Sequence, residues 1–199
     1  MLVIIIGGPS GSGKTTLSMQ ILEKLKNGLV LSTDNYYHTG LFSRILSKII
    51  DGYFDRKISF NYKLFKKDFD FITKERRSNH TYLYDFDSKT TKELSTIKTD
   101  IQLLIVEGIF AKEILRNSYL HNYFLIELKT NKQTCMQRAI YRDINVRGKN
   151  EKNAKNEFLK SWKHYYMRYK KISKKYYKYE IDFSRKDDID KLITKIINL

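Results

Sequence analysis

The chain predicts an α/β fold: one five-stranded parallel sheet with helices on both faces, carrying a small β-hairpin and a helical lid. Three observations predict it. Leu2-Val3-Ile4-Ile5-Ile6 is a continuous apolar run, and Ile101 to Val106 and Asn122 to Leu128 are short, mostly apolar stretches, the mark of strands buried on both faces. Stretches with apolar residues at helical spacing separate such runs. Between the first run and the first helical stretch lies Gly8-Pro9-Ser10-Gly11-Ser12-Gly13-Lys14-Thr15, which fits G-x-x-x-x-G-K-[ST] at every fixed position.

Strand, glycine-rich turn and helix together give that motif its physical meaning. The glycines let the loop curl so that backbone N–H groups face a phosphate chain, and the helix start adds partial positive charge. Gly8, Ser10, Gly11, Ser12, Gly13, Lys14, Thr15 and Thr16 are therefore the expected phosphate-binding residues. Lys14 should reach the β- and γ-phosphates of a nucleoside triphosphate, and the Thr15 hydroxyl should sit on Mg²⁺. The following helix shows Leu17, Ile21, Leu22 and Leu25 on one face and is expected to end at Asn27-Gly28.

Leu29 to Ser32 reads as a second strand, with Asp34 just past its carboxyl end. Ligands gather beyond the carboxyl ends of strands in open parallel sheets, so Asp34 could meet a substrate hydroxyl or the metal. A capping or turn aspartate is the alternative. Residues 41–50 and 62–72 have helical spacing, and between them Gly52 to Lys57 forms a polar loop containing Asp55. Thr81 to Phe86 alternates and is aromatic, and with a strand near Glu93 to Ile97 it makes a hairpin standing off the sheet, an insertion over about 80–98. Its aromatics, Tyr84 and Phe86 among them, either line a base pocket or cover a core edge.

Glu107 closes the strand that ends at Val106, where an acidic residue is a usual second anchor for Mg²⁺. Residues 131–145 form a helix with Arg138 and Arg142 four apart, and Arg147-Gly148-Lys149 follows as a basic turn. This cationic segment, about 138–152, reads as a lid able to close over phosphates and exclude water. Residues 153–172 carry Phe158, Trp162, Tyr165, Tyr166, Tyr169 and Ile172 on one stripe, a core or subunit contact. Tyr179 to Phe183 is the fifth strand, and a helix from about Asp187 to Asn198 closes the fold.

Composition narrows the function. The 199 residues fit a single domain over 1–199, and no apolar run approaches the roughly 20 residues of a membrane crossing. The first apolar run leads straight into the glycine-rich loop, so it reads as fold and not as a signal peptide. Cys135 is the sole cysteine, which excludes an internal disulfide framework and fits a reducing cytoplasm. The four histidines lack ligand spacing for zinc. A net charge of +16 invites nucleic acid as a partner. No nucleic-acid motif accompanies it, however, and the abundance of Lys, Ile, Asn and Tyr is what an A- and T-rich coding sequence produces.

In this order and spacing, the motifs resemble those of the uridine kinase family, within the broader group that includes phosphoribulokinase. The phosphate loop matches over Gly8 to Thr16. The family's D-x-[FY]-Y matches Asp34-Asn35-Tyr36-Tyr37, its F-D-H-P matches Phe54-Asp55 only, and its E-G-I matches Glu107-Gly108-Ile109. The lid pattern R-x-x-R-D-x-x-x-R-G-R matches Arg142, Asp143, Arg147 and Gly148, with Arg138 standing one place earlier than the pattern's first arginine. The resemblance implies a three-layer P-loop kinase fold and transfer of the γ-phosphoryl of ATP, or GTP, to the 5′-hydroxyl of a pyrimidine ribonucleoside. It implies Asp34 as general base and Mg²⁺ organiser, with Thr15 and Glu107 completing the metal site. Arg138 and Arg142, with Lys14, would neutralise the moving charge. Tyr37, Asp55, Tyr84, Phe86, Arg142 and Arg147 would meet the nucleoside, Asp55 at the ribose hydroxyls. A homo-oligomer is also implied.

Beyond Arg56 and Lys57, three positions near the base depart from the pattern. Lys89 and Thr91 stand where the family's hairpin has its base-contacting histidine and arginine, and Lys149 replaces the lid's final arginine. Lysine accepts no hydrogen bond and offers no planar fork. A kinase of another hydroxyl-bearing metabolite is thus the alternative reading, and a nucleotide-dependent nucleic-acid-binding module a more distant one.

Overall fold

A computed structural model describes residues 1–116, 123–169, 178–181 and 186–197. Its main sheet has five strands: β1 (Leu2–Gly7), β2 (Gly28–Ser32), β5 (Leu103–Glu107), β6 (Tyr123–Leu128) and β7 (Lys178–Ile181). They lie in the order β2-β5-β1-β6-β7, and every pairing is parallel. The remaining two strands, β3 (Ser78–Asp85) and β4 (Thr90–Lys98), form the separate antiparallel hairpin that the alternating aromatic run predicted.

The run in β1 is continuously apolar because each face of the sheet is covered. Val3 and Ile5 of β1 point into a core shared with Leu31, Phe65, Phe69, Val106, Phe110 and Leu125. Ile4 and Ile6 point the other way, against Leu17 and Ile21 of α1 (Lys14–Leu25) and Leu192, Ile193 and Ile196 of α6 (Lys186–Ile197). The first core also takes in α3 (Tyr62–Glu75) and hairpin residue Tyr84. The two cores make the three layers.

Between the strands run α2 (Leu41–Ile49), α4 (Lys132–Asn145) and α5 (Glu151–Tyr169). Asn131 caps α4 by accepting a hydrogen bond from the Thr134 amide at 2.8 Å, and Cys135 and Ala139 bury against Phe158 of α5. Phe158 and Tyr165 are buried as the stripe on α5 requires, while Tyr166 is 40% exposed.

The end of α1 corrects one expectation. Lys26, not Asn27 or Gly28, takes the positive φ of 56°, and Gly28 already belongs to β2. The cause is packing: a Cβ on Gly28 would lie 2.7 Å from Leu22 Cδ1, so this glycine serves close helix–strand approach and not the helix end. The Gly52 to Lys57 loop contains two short 3₁₀ turns, Tyr53–Asp55 and Lys57–Ser59. Asn122, residues 170–172, Phe183 and Asn198, which end expected elements, lie outside the described residues.

Candidate active site

Parallel alignment carries the key residues to one edge. In register, Ile6 of β1 and Ser32 of β2 both stand beside Glu107, the last residue of β5. The glycine loop leaving β1, Asp34 in the turn after β2 and Glu107 therefore converge at the carboxyl ends of three adjacent strands, where open sheets bind ligands.

The loop's shape rests on its glycines. Gly11 has φ 77°, and a Cβ there would meet the Cys135 carbonyl oxygen at 2.2 Å, so the loop lies directly against the start of α4. Gly13 has φ 98° and precedes α1 with no side chain to cap it and no acid in the first turn. The helix thus presents its amide groups and partial positive charge to an anion. Thr130 Oγ1 donates to the Ser12 carbonyl at 3.0 Å and fixes the loop from the other side.

Lys14 is buried, and its ammonium donates to the Pro9 carbonyl at 3.0 Å. Burial lowers its pKa, opposed by Glu107 and Asp34. Thr15 Oγ1 stands 3.4 Å from Glu107 Oε1. Glu107 is itself only 3% exposed; burial and the neighbouring Asp34 raise its carboxyl above the usual range, against the pull of Lys14. The Asp34 Oδ1 atom is buried with no hydrogen-bond partner. Two neighbouring carboxylates and a hydroxyl, with one carboxylate oxygen unsatisfied, form an all-oxygen donor set of the kind Mg²⁺ takes when phosphates supply the rest. Gly108 makes this approach possible: at φ 128°, a Cβ would lie 1.9 Å from Thr33 Oγ1, in the turn that bears Asp34.

In front of this edge lies a cavity lined by Ser10, Asp34, Tyr37, Asp55, Arg142 and Arg147, among others. A second cavity adjoins it, sharing Phe54, Asp55, Phe86, Lys149 and Glu157. Asp55 stands at the junction, where Ser161 of α5 donates to its Oδ1 at 2.7 Å. Tyr37 is buried edge-on to Phe54, Tyr84 and Phe86, and burial beside Asp34 and Asp55 raises its phenol pKa. The Asn35 side chain accepts from the Tyr84 amide at 3.2 Å, tying the hairpin to the Asp34 turn.

The hairpin aromatics divide between cavity wall and core. Phe86 lines both cavities. Tyr84 packs in the core at 5% exposure, its hydroxyl pushed up to about 12 by burial, and it does not line either cavity.

The lid's cations divide as well. Arg142 Nη2 reaches Ser10 of the glycine loop at 3.4 Å and Asp143 Oδ1 at 2.9 Å. Arg147 pairs with Asp143 at 3.2 Å and lies over the Phe86 ring at 3.7 Å. Burial works to raise the Asp143 carboxyl, yet Arg142, Arg147 and Lys149 outweigh it and hold it low. Arg138 is exposed on α4, one turn before Arg142, and lines neither cavity.

Of the departing positions, Lys149 is held between Asp143 and Glu157. Lys89, at φ 54°, donates to Ser47 Oγ at 2.9 Å and sits 6.0 Å from the Phe54 ring centre. Thr91 stands opposite Tyr84 in the hairpin. His80 lies against Asp68 and Tyr82, away from both cavities.

Sequence reasoning missed Ser161 and Glu157. Ser161 interrupts the apolar stripe of α5 between Phe158 and Tyr165, and a polar residue at a core-facing position is the signal that could have found it; Glu157 is exposed and carries no such signal.

Comparisons with known proteins agree with this geometry. The family model described as Phosphoribulokinase / Uridine kinase family matches residues 3–190. A uridine kinase of Borrelia hermsii (strain HS1 / DAH) is 32% identical over 180 residues, covering 87% of this chain and 82% of the relative. A uridine kinase of Ureaplasma parvum serovar 3 is 29% identical over 153 residues, covering 74% and 72%. The solved D-glycerate 3-kinase of Cryptococcus neoformans shares the fold with a TM-score of 0.63 at 14% identity, over 93% of this chain and 87% of that one. With a phosphate loop after β1, an acid in the turn after β2 and a basic segment at the end of α4 brought to one edge, and with that match across nearly its whole length, the chain belongs to the Phosphoribulokinase / Uridine kinase family.

Proposed function

We propose that the protein transfers the γ-phosphoryl group of Mg-ATP, or Mg-GTP, to the 5′-hydroxyl of uridine or cytidine. The observation that carries this reading is Asp34, whose buried, unpartnered Oδ1 lies between the phosphate loop and a cavity that leads to Asp55. In this reading the 5′-oxygen bonds to the γ-phosphorus as the bond to the β–γ bridging oxygen breaks, and the hydroxyl proton passes to Asp34. Asp55 holds the ribose hydroxyls, and Phe54 and Phe86 flank the base. Tyr37 closes the pocket floor.

Amides of Gly8 to Gly13, with Lys14, Thr15 and Thr16, hold the triphosphate. Thr15, Asp34 and Glu107 hold Mg²⁺, which neutralises phosphate charge. Arg142 already contacts the loop and is the lid cation aimed at the moving phosphoryl group. Arg147 faces the nucleoside side, and Arg138 reaches the phosphates through lid closure. Such catalysis is positioning and electrostatics, with little covalent work for the protein. The similarity to uridine kinases over most of the chain supports the acceptor. The lone cysteine fits a reducing cytoplasm, and the proposed acceptor makes the reaction one of pyrimidine salvage.

A coupled assay with a panel of nucleosides and other alcohols tests the proposal. Uridine or cytidine turnover is expected; silence with both, alongside use of another alcohol, refutes it. That second outcome is the reading favoured by Lys89 and Lys149, which put cations on the wall of the outer cavity.

A further inference from the structure

The carboxylate at the junction of the two cavities takes a hydrogen bond from a distant element of the chain. Asp55 lies in a 3₁₀ turn, and Ser161, 106 positions away on α5, donates to its Oδ1 at 2.7 Å. Ser161 is 9% exposed and lines the same cavity as Asp55. One turn further along α5, the Tyr165 hydroxyl donates at 2.6 Å to Glu127 Oε1. Glu127 stands in register with Gly7, the residue that leads into the phosphate loop. One face of α5 is therefore anchored to the sheet at Tyr165 and reads the acceptor-side carboxylate at Ser161.

We infer that Ser161 is a positioning residue that fixes the Asp55 carboxylate for the acceptor. The inference rests on the acceptor role proposed above for Asp55. Its physics is simple. A hydroxyl donating to a charged acceptor is worth more than a neutral pair, and here it selects one rotamer of a short side chain on a turn. A carboxylate held in advance binds vicinal hydroxyls without losing that freedom on association. The effect belongs to acceptor binding, because the Ser161 hydroxyl bonds to Asp55 and, among the described residues, to neither the phosphate loop nor Asp34.

The test is steady-state kinetics of Ser161→Ala, Ser161→Thr, Asp55→Ala and the Ser161→Ala/Asp55→Ala double variant, using whichever acceptor the panel identifies. Ser161→Ala should raise the acceptor KM about tenfold. The KM for ATP and kcat should stay within about twofold, and Ser161→Thr should restore the acceptor KM. In the Asp55→Ala background Ser161→Ala should add nothing, since its effect passes through that carboxylate. An unchanged acceptor KM, a parallel rise in the KM for ATP, or full additivity in the double variant overturns the positioning role. Failure of the nucleoside reading looks different: wild-type enzyme ignores uridine and cytidine, and the same four-way comparison is then read with the acceptor it does use.

Discussion

Lys112 and Glu127 form an ion pair beneath the phosphate loop, 2% and 9% exposed respectively, in a space that exists because residue 7 is glycine. A Cβ on Gly7 would fall 2.5 Å from Lys112 Cε and 2.9 Å from Glu127 Oε2. The Tyr165 hydroxyl serves the other carboxylate oxygen, and Lys112 lies 5.7 Å from the Tyr165 ring centre. The pair thus joins β6, the segment after β5, and α5 at the point where β1 enters the loop.

Removing one partner of such a pair strands a charge away from water. Glu127→Ala should cost about 3–5 kcal/mol of stability, read by urea denaturation. A Lys112→Met/Glu127→Leu double variant should recover most of that loss, because two apolar groups leave no buried charge behind. Equal loss in the single and double variants would contradict this account.

Asp34 gives the most direct test of chemistry. Asp34→Asn keeps the size of the side chain and removes its capacity to take a proton. Turnover should fall by about 10²–10⁴-fold, the usual span for a lost general base. ATP binding, followed by calorimetric titration, should persist. A variant that retains turnover would relieve Asp34 of that role.

Gly108 probes the same turn from behind. Its backbone φ of 128° and the 1.9 Å approach of a built Cβ to Thr33 Oγ1 leave no room for a methyl group. Gly108→Ala should cost about 1–3 kcal/mol from strain and overpacking. Because Thr33 adjoins Asp34, activity should fall by more than the folded fraction does. Activity that tracks the folded fraction alone would show that the turn absorbs the methyl without moving Asp34.

Much of this was legible in the residues, for a physical reason. A strand buried on both faces is apolar along most of its length, so β1, β5 and β6 announce themselves in the one-letter code. The phosphate loop does so because its glycine positions are steric requirements. Strand order was not legible, since nothing within Leu29 to Ser32 says that β5 and not β1 lies beside it. Pairings over long separations were equally hidden. Ser161 with Asp55 and Lys112 with Glu127 depend on how α5 and the segment after β5 fold back, although an acid inside the apolar run Phe124 to Leu128 was a hint of a buried partner. The helix end at Lys26 was misread because Gly28 has a packing duty that looks, in sequence, like a capping one.

Asp143 supplies a prediction about pH. It receives Arg142 Nε at 3.0 Å, Arg142 Nη2 at 2.9 Å, Arg147 at 3.2 Å and Lys149 at 3.2 Å, and these cations hold its folded carboxyl below the usual range in spite of burial. An acid whose folded pKa is depressed contributes stability that is present above its unfolded pKa, near about 3.9, and is lost as pH falls through the folded value. Asp143→Asn should therefore be less stable than wild type at pH 7, and the gap should narrow as pH drops below about 4. Urea unfolding of both proteins across that range measures it. Because Arg142 and Arg147 share this carboxylate, the variant should also loosen the lid, seen as faster amide exchange in α4 at pH 7. A stability gap that does not change with pH would mean that Asp143 contributes by shape and not by charge.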